Sequence, residues 1–202
     1  MGSFARARMR KERKAINKGY DKARKQNKEV RRDMARTYAE QLKADIQCRR
    51  DAISNLSAIF MLTVHERYGF GRGRILRLRD KMQSEFDAIT SGNVNVREID
   101  HFLMDEVKLD AGLSRKYTSA NHYESIEDRV VRELTAAFLM AMLDEFGYKG
   151  NALARTCRHA FAINERLNKN ELTYPQIRAR LQKVMDRGRK DDDVCVDKKS
   201  GR

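Results

Sequence analysis

The chain is predicted to be all-α: two tandem three-helix modules preceded by a long basic N-terminal helix. Three observations carry that prediction. The 202 residues include one Pro, eleven Gly and no Trp, and their long runs rich in Ala, Leu, Arg, Lys and Glu favour helix over the β-branched and turn clusters of a sheet. The stretch from Leu56 to Leu103 repeats as Leu134 to Leu181 without a gap, at an offset of 78 (134 − 56). Finally, Met34, Tyr38, Leu42, Ile46, Ile53, Leu56, Phe60 and Val64 form a spaced apolar stripe with no Gly or Pro between Tyr20 and Tyr68, so one helix is expected from about residue 21 into the first module.

Residues 1–36 form a basic arm, expected to be helical or partly disordered and, in its first half, to project. It holds fourteen Lys or Arg against four acids, a net charge of +10 (14 − 4) out of +14 for the whole chain. The first module, with its lead-in helix, is placed at 37–109. Its helices are expected at 51–68, 74–90 and 96–108. A linker at 110–124 leads to the second module, at 125–187, whose helices are expected at 126–146, 152–168 and 174–187, with Ser125 as the cap of the first and Asp128 three residues on. The charged segment 188–202 reads as a disordered tail.

The duplication rests on punctuation as much as on identity. Seven pairs are identical, among them Phe60/Phe138, Gly69/Gly147, Arg77/Arg155 and Ile99/Ile177. Tyr68-Gly69-Phe70 and Phe146-Gly147-Tyr148 both read as helix stops, with Gly in the left-handed conformation and an aromatic folding back. Gly73 and Asn151 align as N-caps of the second helices, which end near Gly92 and Asn170. Asn95-Val-Arg-Glu98 and Thr173-Tyr-Pro-Gln176 are capping boxes in register, with Pro175 in the first turn where its missing N–H is harmless. The core is expected from Phe60/Phe138, Met61/Leu139, Leu62/Met140, Val64/Met142, Ile75/Leu153, Ile89/Leu167, Val94/Leu172 and Val96/Tyr174. One module buries too little surface to stand alone, so the two are expected to pack together about a pseudo-two-fold axis. Phe86/Asn164, Phe102/Arg180 and Leu78/Thr156 diverge, which points to outer faces that meet different things.

A charge excess this local, on a body carrying only +4 (14 − 10), is the footprint of a polyanion binder, because counterion release from phosphates drives association whatever the base sequence. The expected contacts are Arg10, Lys11, Arg13, Lys14, Lys18, Lys22, Arg24, Lys25, Lys28, Arg31 and Arg32. Of these, Lys18, Lys22, Lys25 and Arg32 recur at helical spacing. A second basic cluster, Arg67, Arg72, Arg74, Arg77, Arg79 and Lys81, with Arg72, Arg74 and Arg77 as its expected contacts, surrounds the first Gly-rich turn, while its counterpart holds Lys149, Arg155, Arg158 and His159. Helix starts with free amides and nearby Arg suit phosphate. The competing reading of such runs is a solvated surface that keeps the protein soluble.

Other chemistries are excluded on spacing. Gly69-Phe-Gly71-Arg-Gly73 follows a helix rather than a strand and lacks a Gly-Lys-Ser/Thr ending, so it is no nucleotide loop. Cys48, Cys157 and Cys195 are scattered, and His65, His101, His122 and His159 make no ligand spacing with Cys or acids. No nucleophile sits beside a base, and no metal or cofactor is expected, so the chain reads as non-enzymatic. No apolar run approaches the roughly 18 residues of a membrane span, so no membrane contact and a cytoplasmic location are expected. A helix-turn-helix reader is disfavoured in the first module by Asp100, Asp105 and Glu106, which repel phosphate. The third helix of the second module, with Arg178, Arg180, Lys183 and Arg187, suits a groove better.

The aromatic-Gly-aromatic stop in His65-Glu66-Arg67-Tyr68-Gly69-Phe70-Gly71 and Asp144-Glu145-Phe146-Gly147-Tyr148, followed by a basic helix and a turn such as Ser91-Gly92-Asn93-Val94, resembles small uncharacterised helical proteins of phages and prophages of Gram-positive bacteria. The resemblance covers each module and not the arm. It implies no activity, but it adds a second expectation beside DNA or RNA binding: an inhibitor or adaptor that binds a host nucleic-acid-handling protein complex, in the manner of an anti-CRISPR protein.

Overall fold

The computed structural model describes residues 3–113 and 121–197. Every regular element among them is a helix: α1 (Ser3–Tyr68), α2 (Arg72–Thr90), α3 (Val96–Asp105), α4 (His122–Phe146), α5 (Gly150–Asn168) and α6 (Tyr174–Asp197). The chain falls into two units, Met1–Gln47 and Cys48–Arg202.

In the first unit the backbone is all α1. It begins at Ser3 rather than near residue 21, and Gly19 does not interrupt it. One isolated Gly costs only about 1 kcal/mol in a helix whose other residues are good formers. Side chains support it locally: Arg36 donates to Glu40 (3.1 Å) and Gln41 to Asp45 (2.9 Å), both four residues on. No described side chain here is buried, and Met9, Tyr20, Val30, Met34, Tyr38, Leu42 and Ile46 are all exposed.

The second unit holds the core. Phe60, Leu62 and Val64 of α1, Phe70 in the following turn, Leu78 of α2, Leu103 of α3, Phe138, Leu139 and Met142 of α4, Leu153 and Ile163 of α5, Leu172 in the turn after it and Ile177 of α6 belong to one buried cluster. Phe60 stacks flat on Phe138, with ring centroids 4.2 Å apart and planes within 1° of parallel. Offset stacking of buried rings adds about 0.5–1.5 kcal/mol to their area burial.

Helix ends follow the two Gly stops. At Gly69 (φ 64°) the amide donates to His65 O and that of Phe70 to Val64 O; at Gly147 (φ 67°) the corresponding donations go to Leu143 O and Met142 O. Only a residue tolerant of positive φ closes a helix this way, which is the steric reason for Gly at both. The turns after α2 and α5 also match bond for bond, with Asn93 and Val94 N–H donating to Ala88 O, and Glu171 and Leu172 N–H donating to Arg166 O. Each capping box shows one half of its bonding. Asn95 Oδ1 accepts from Arg97 N, and Gln176 Oε1 accepts from Thr173 N.

Several boundaries differ from expectation. The N-caps of α2 and α5 are Gly71 and Lys149, not Gly73 and Asn151, and neither cap uses a side chain. Asn121 caps α4 by accepting from Glu124 N, so the helix starts at His122, ahead of Ser125; Asn is as good a cap as Ser and comes first. Helix α3 ends at Asp105, and Lys108 takes a positive φ (59°) shortly beyond. Helix α6 runs to Asp197, well into the segment expected to be disordered; residues 198–202 of that segment and 114–120 of the linker lie outside the described residues. The Leu78/Thr156 divergence is internal rather than on an outer face, since both side chains are fully buried.

Candidate nucleic-acid interface

Arg10, Lys11, Arg13, Lys14, Lys18, Lys22, Arg24, Lys25, Lys28, Arg31 and Arg32 all lie on α1 with exposed side chains. None forms an ion pair or hydrogen bond with another described side chain. Among the described residues the nearest ion pair is Arg36–Glu40, whose cation lies outside this set. At 100° per residue, Lys11, Lys14, Lys18, Lys22, Lys25 and Arg32 fall on one face, and Arg10, Arg13, Arg24, Lys28 and Arg31 on the adjoining one. Met9, Tyr20, Val30, Met34 and Tyr38 occupy the opposite side, so the helix is cationic on one side and apolar on the other. Its first turn has no acid.

The second expected cluster is different. Arg77 Nε donates to Glu145 Oε1 across the α2–α4 contact (2.7 Å), and its guanidinium lies 5.5 Å from the Phe146 ring. Lys81 bridges Glu85 (2.6 Å) and Asp144 (3.3 Å), and the Glu85 hydrogen bond holds its ammonium above the usual lysine range against the opposing effect of burial. Arg79 donates to Asp80. Arg74 stacks its guanidinium 4.9 Å over Phe70. Charge on this side is therefore met by the protein's own carboxylates and rings. Sequence reasoning could not see this, because Glu145 and Asp144 approach only when α4 packs on α2.

Two basic side chains of α6 also have partners. Arg178 donates to Ser54 Oγ (3.2 Å) and Asn55 Oδ1 (2.9 Å), and Arg180 to Glu66 Oε1 (3.2 Å). They tie α6 to α1, which removes two cations from the proposed groove reader. Among buried charges, Glu133 accepts from Arg129 Nε through Oε1 (2.7 Å), while its Oε2 has Arg49 3.6 Å away as an ion-pair partner but accepts no hydrogen bond.

A further basic cleft, of about 450 Å³, is lined by Arg67, Arg155, Arg158, His159 and Ala162. The α5 residues of this group were legible as a basic cluster. That Arg67 of α1 joins them was not.

Among the described residues, no group of three His, Cys, Asp or Glu is placed to hold a metal ion, and no helix is long and apolar enough to cross a membrane. Cys48 and Cys157 are free thiols, and burial raises the Cys157 pKa. Comparison with family models, curated proteins and solved structures finds no significant match. The chain must be read from its own residues.

Proposed function

We propose that the protein is a non-enzymatic nucleic-acid-binding protein, carried on two copies of one three-helix module and attached to the phosphate backbone by the basic face of α1. The observation that carries this reading is that eleven arm cations, from Arg10 to Arg32, are all exposed and none has a carboxylate partner among the described residues. A helix that neutralised itself would show Lys/Arg–Glu/Asp pairs at four-residue spacing, as Arg36–Glu40 does. Arg72 and Arg74, at the start of α2, are secondary contacts in this reading. Arg77 is removed from it by Glu145.

The duplication is supported by the hydrogen bonds that recur 78 positions apart at both helix stops and both following turns. Paired contacts support it as well. The ring pairs Tyr68–Tyr148 (4.6 Å) and Phe70–Phe146 (4.8 Å) exchange into one another at this offset, as do the charge pairs Lys81–Asp144 (3.3 Å) and His159–Glu66 (3.2 Å).

The test is a titration of the full chain against duplex DNA, single strands and structured RNA at several salt concentrations. Eleven phosphate-facing cations predict a slope of log K against log salt between about −5 and −10. Replacing Lys18, Lys22, Lys25 and Arg32 by Gln should flatten that slope by about 3. Absence of binding to every oligonucleotide at low ionic strength overturns the proposal.

One observation favours the second reading, an adaptor or inhibitor of a nucleic-acid-handling protein, such as a mobile element directs at its host. Met34 and Tyr38 are 68% and 71% exposed on the apolar face of α1, which suits a protein groove better than phosphate. Stable capture of a protein partner with weak naked nucleic-acid affinity would select it.

A further inference from the structure

The two sides of the second unit provide an internal control for charge. On the α2–α4 side, Arg77 pairs with Glu145, Lys81 with Asp144, and Asp80 with its chain neighbour Arg79. Seventy-eight positions away, on the α1–α5 side, the matching residues are Arg155, Arg158, His159, Glu66 and Arg67. Asp80 has become Arg158 and Glu145 has become Arg67. Two carboxylates have thus been exchanged for guanidinium groups in one cleft.

The result is three arginines against a single carboxylate, and that carboxylate is already engaged. Glu66 accepts from Arg180 (3.2 Å) and lies 3.2 Å from His159 Nε2. Arg155 and Arg158 are exposed and make no ion pair or hydrogen bond with any described residue, whereas Arg77, the counterpart of Arg155, is locked to Glu145. Like charges gathered without a counterion repel by Coulomb's law and are stabilised when an anion enters. Guanidinium groups match the oxygen geometry of phosphate better than any other side chain.

We propose that the Arg67–Arg155–Arg158 cleft is a phosphate-binding site. Phe161 indicates the source. It is 65% exposed and stands three residues from Arg158 on the same helix, so the two share a helix side. An exposed ring beside a phosphate site suits an unpaired base, since stacking accepts any base. The ligand is therefore a nucleotide phosphate, carried by a single strand. The preference for a strand rests on the nucleic-acid reading above, but the phosphate site itself does not.

Two measurements on the full chain separate these levels. In the first, inorganic pyrophosphate is titrated while the arginine Nε–Hε resonances are followed by NMR. Arg155 and Arg158 should shift, with Arg77 unmoved as the control; equal shifts at all three, or none at Arg155 and Arg158, overturn the site. In the second, a labelled single-stranded 20-mer is bound by wild type, R155Q/R158Q, F161A and R77Q. R155Q/R158Q should lose about tenfold affinity at moderate salt and about two units of salt slope. F161A should lose about fivefold or more on the single strand and little on duplex, and R77Q should match wild type. If R155Q/R158Q binds the strand like wild type while pyrophosphate still shifts Arg155, the strand is the wrong ligand and a small phosphate compound is the right one. If the Gln variants of the arm lose all strand binding and pyrophosphate still shifts Arg155, the nucleic-acid reading of the cleft fails and the phosphate site stands. Circular dichroism of each variant, unchanged from wild type, confirms that the effects are local.

Discussion

Single residues set the α1–α5 side of the second unit apart from its α2–α4 side. The Tyr68 hydroxyl lies 2.7 Å from Thr156 Oγ1 and donates to Ala152 O (3.0 Å). At the matching place on the other side stand Phe146 and Leu78, an apolar pair. Thr156 Oγ1 lies 2.9 Å from the same Ala152 carbonyl, so removing either hydroxyl leaves the other with a backbone acceptor and costs chiefly the bond between them. Tyr68→Phe and Thr156→Val are therefore expected to be coupled. Each alone should lower stability by about 1 kcal/mol, and the double variant should lose less than the sum. A double-mutant cycle in urea measures this, and strict additivity would show that the two groups do not interact.

At the scale of elements, α1 has two different sources of stability. From Ala58 to Val64 its side chains are buried in the core of the second unit, so those amides open only when that core opens. From Met9 to Leu42 its described side chains are exposed, and the helix rests on propensity and a few i,i+4 contacts. Isolated helix is only marginally stable without a packed face. Hydrogen exchange is accordingly expected to show little protection across residues 9–42 and the strongest protection across 58–64. Adding an oligonucleotide should slow exchange in the arm, since anions relieve the repulsion among its cations. Equal protection along the whole of α1 without ligand would contradict this account.

For the second unit as a whole, the decisive feature is one core drawing on both halves. Phe60 and Phe138 meet face to face at its centre, and α2 packs on α4 rather than closing a module on its own helices. Phe138→Ala should cost about 3–5 kcal/mol and lower a single cooperative unfolding transition for residues from both halves. Two separate transitions in calorimetry, only one of them shifted by Phe138→Ala, would mean that each module carries its own core.

Sequence by itself determined the helices, their stops and most of the core. Gly69 and Gly147 stop helices because only a residue free of Cβ strain takes positive φ cheaply, and Phe60, Leu62, Ile75, Leu139, Met142 and Leu153 are buried because their spacing puts them on one helix face. These are local causes and can be read in a window of a few residues. The local signal was least sharp at caps and at the tail, where Gly71, Lys149 and Asn121 competed with neighbours of similar capping strength and α6 continued through charged residues. The arm charges were equally plain, since counting needs no fold. Tertiary structure alone decided which cations are already matched. Arg77 and Arg155 are both arginines, 78 positions apart, yet α4 brings Glu145 to the first and α1 brings Arg67 to the cleft that holds the second. Coulomb energy depends on distance in space, and residues far apart in the chain become neighbours only through packing.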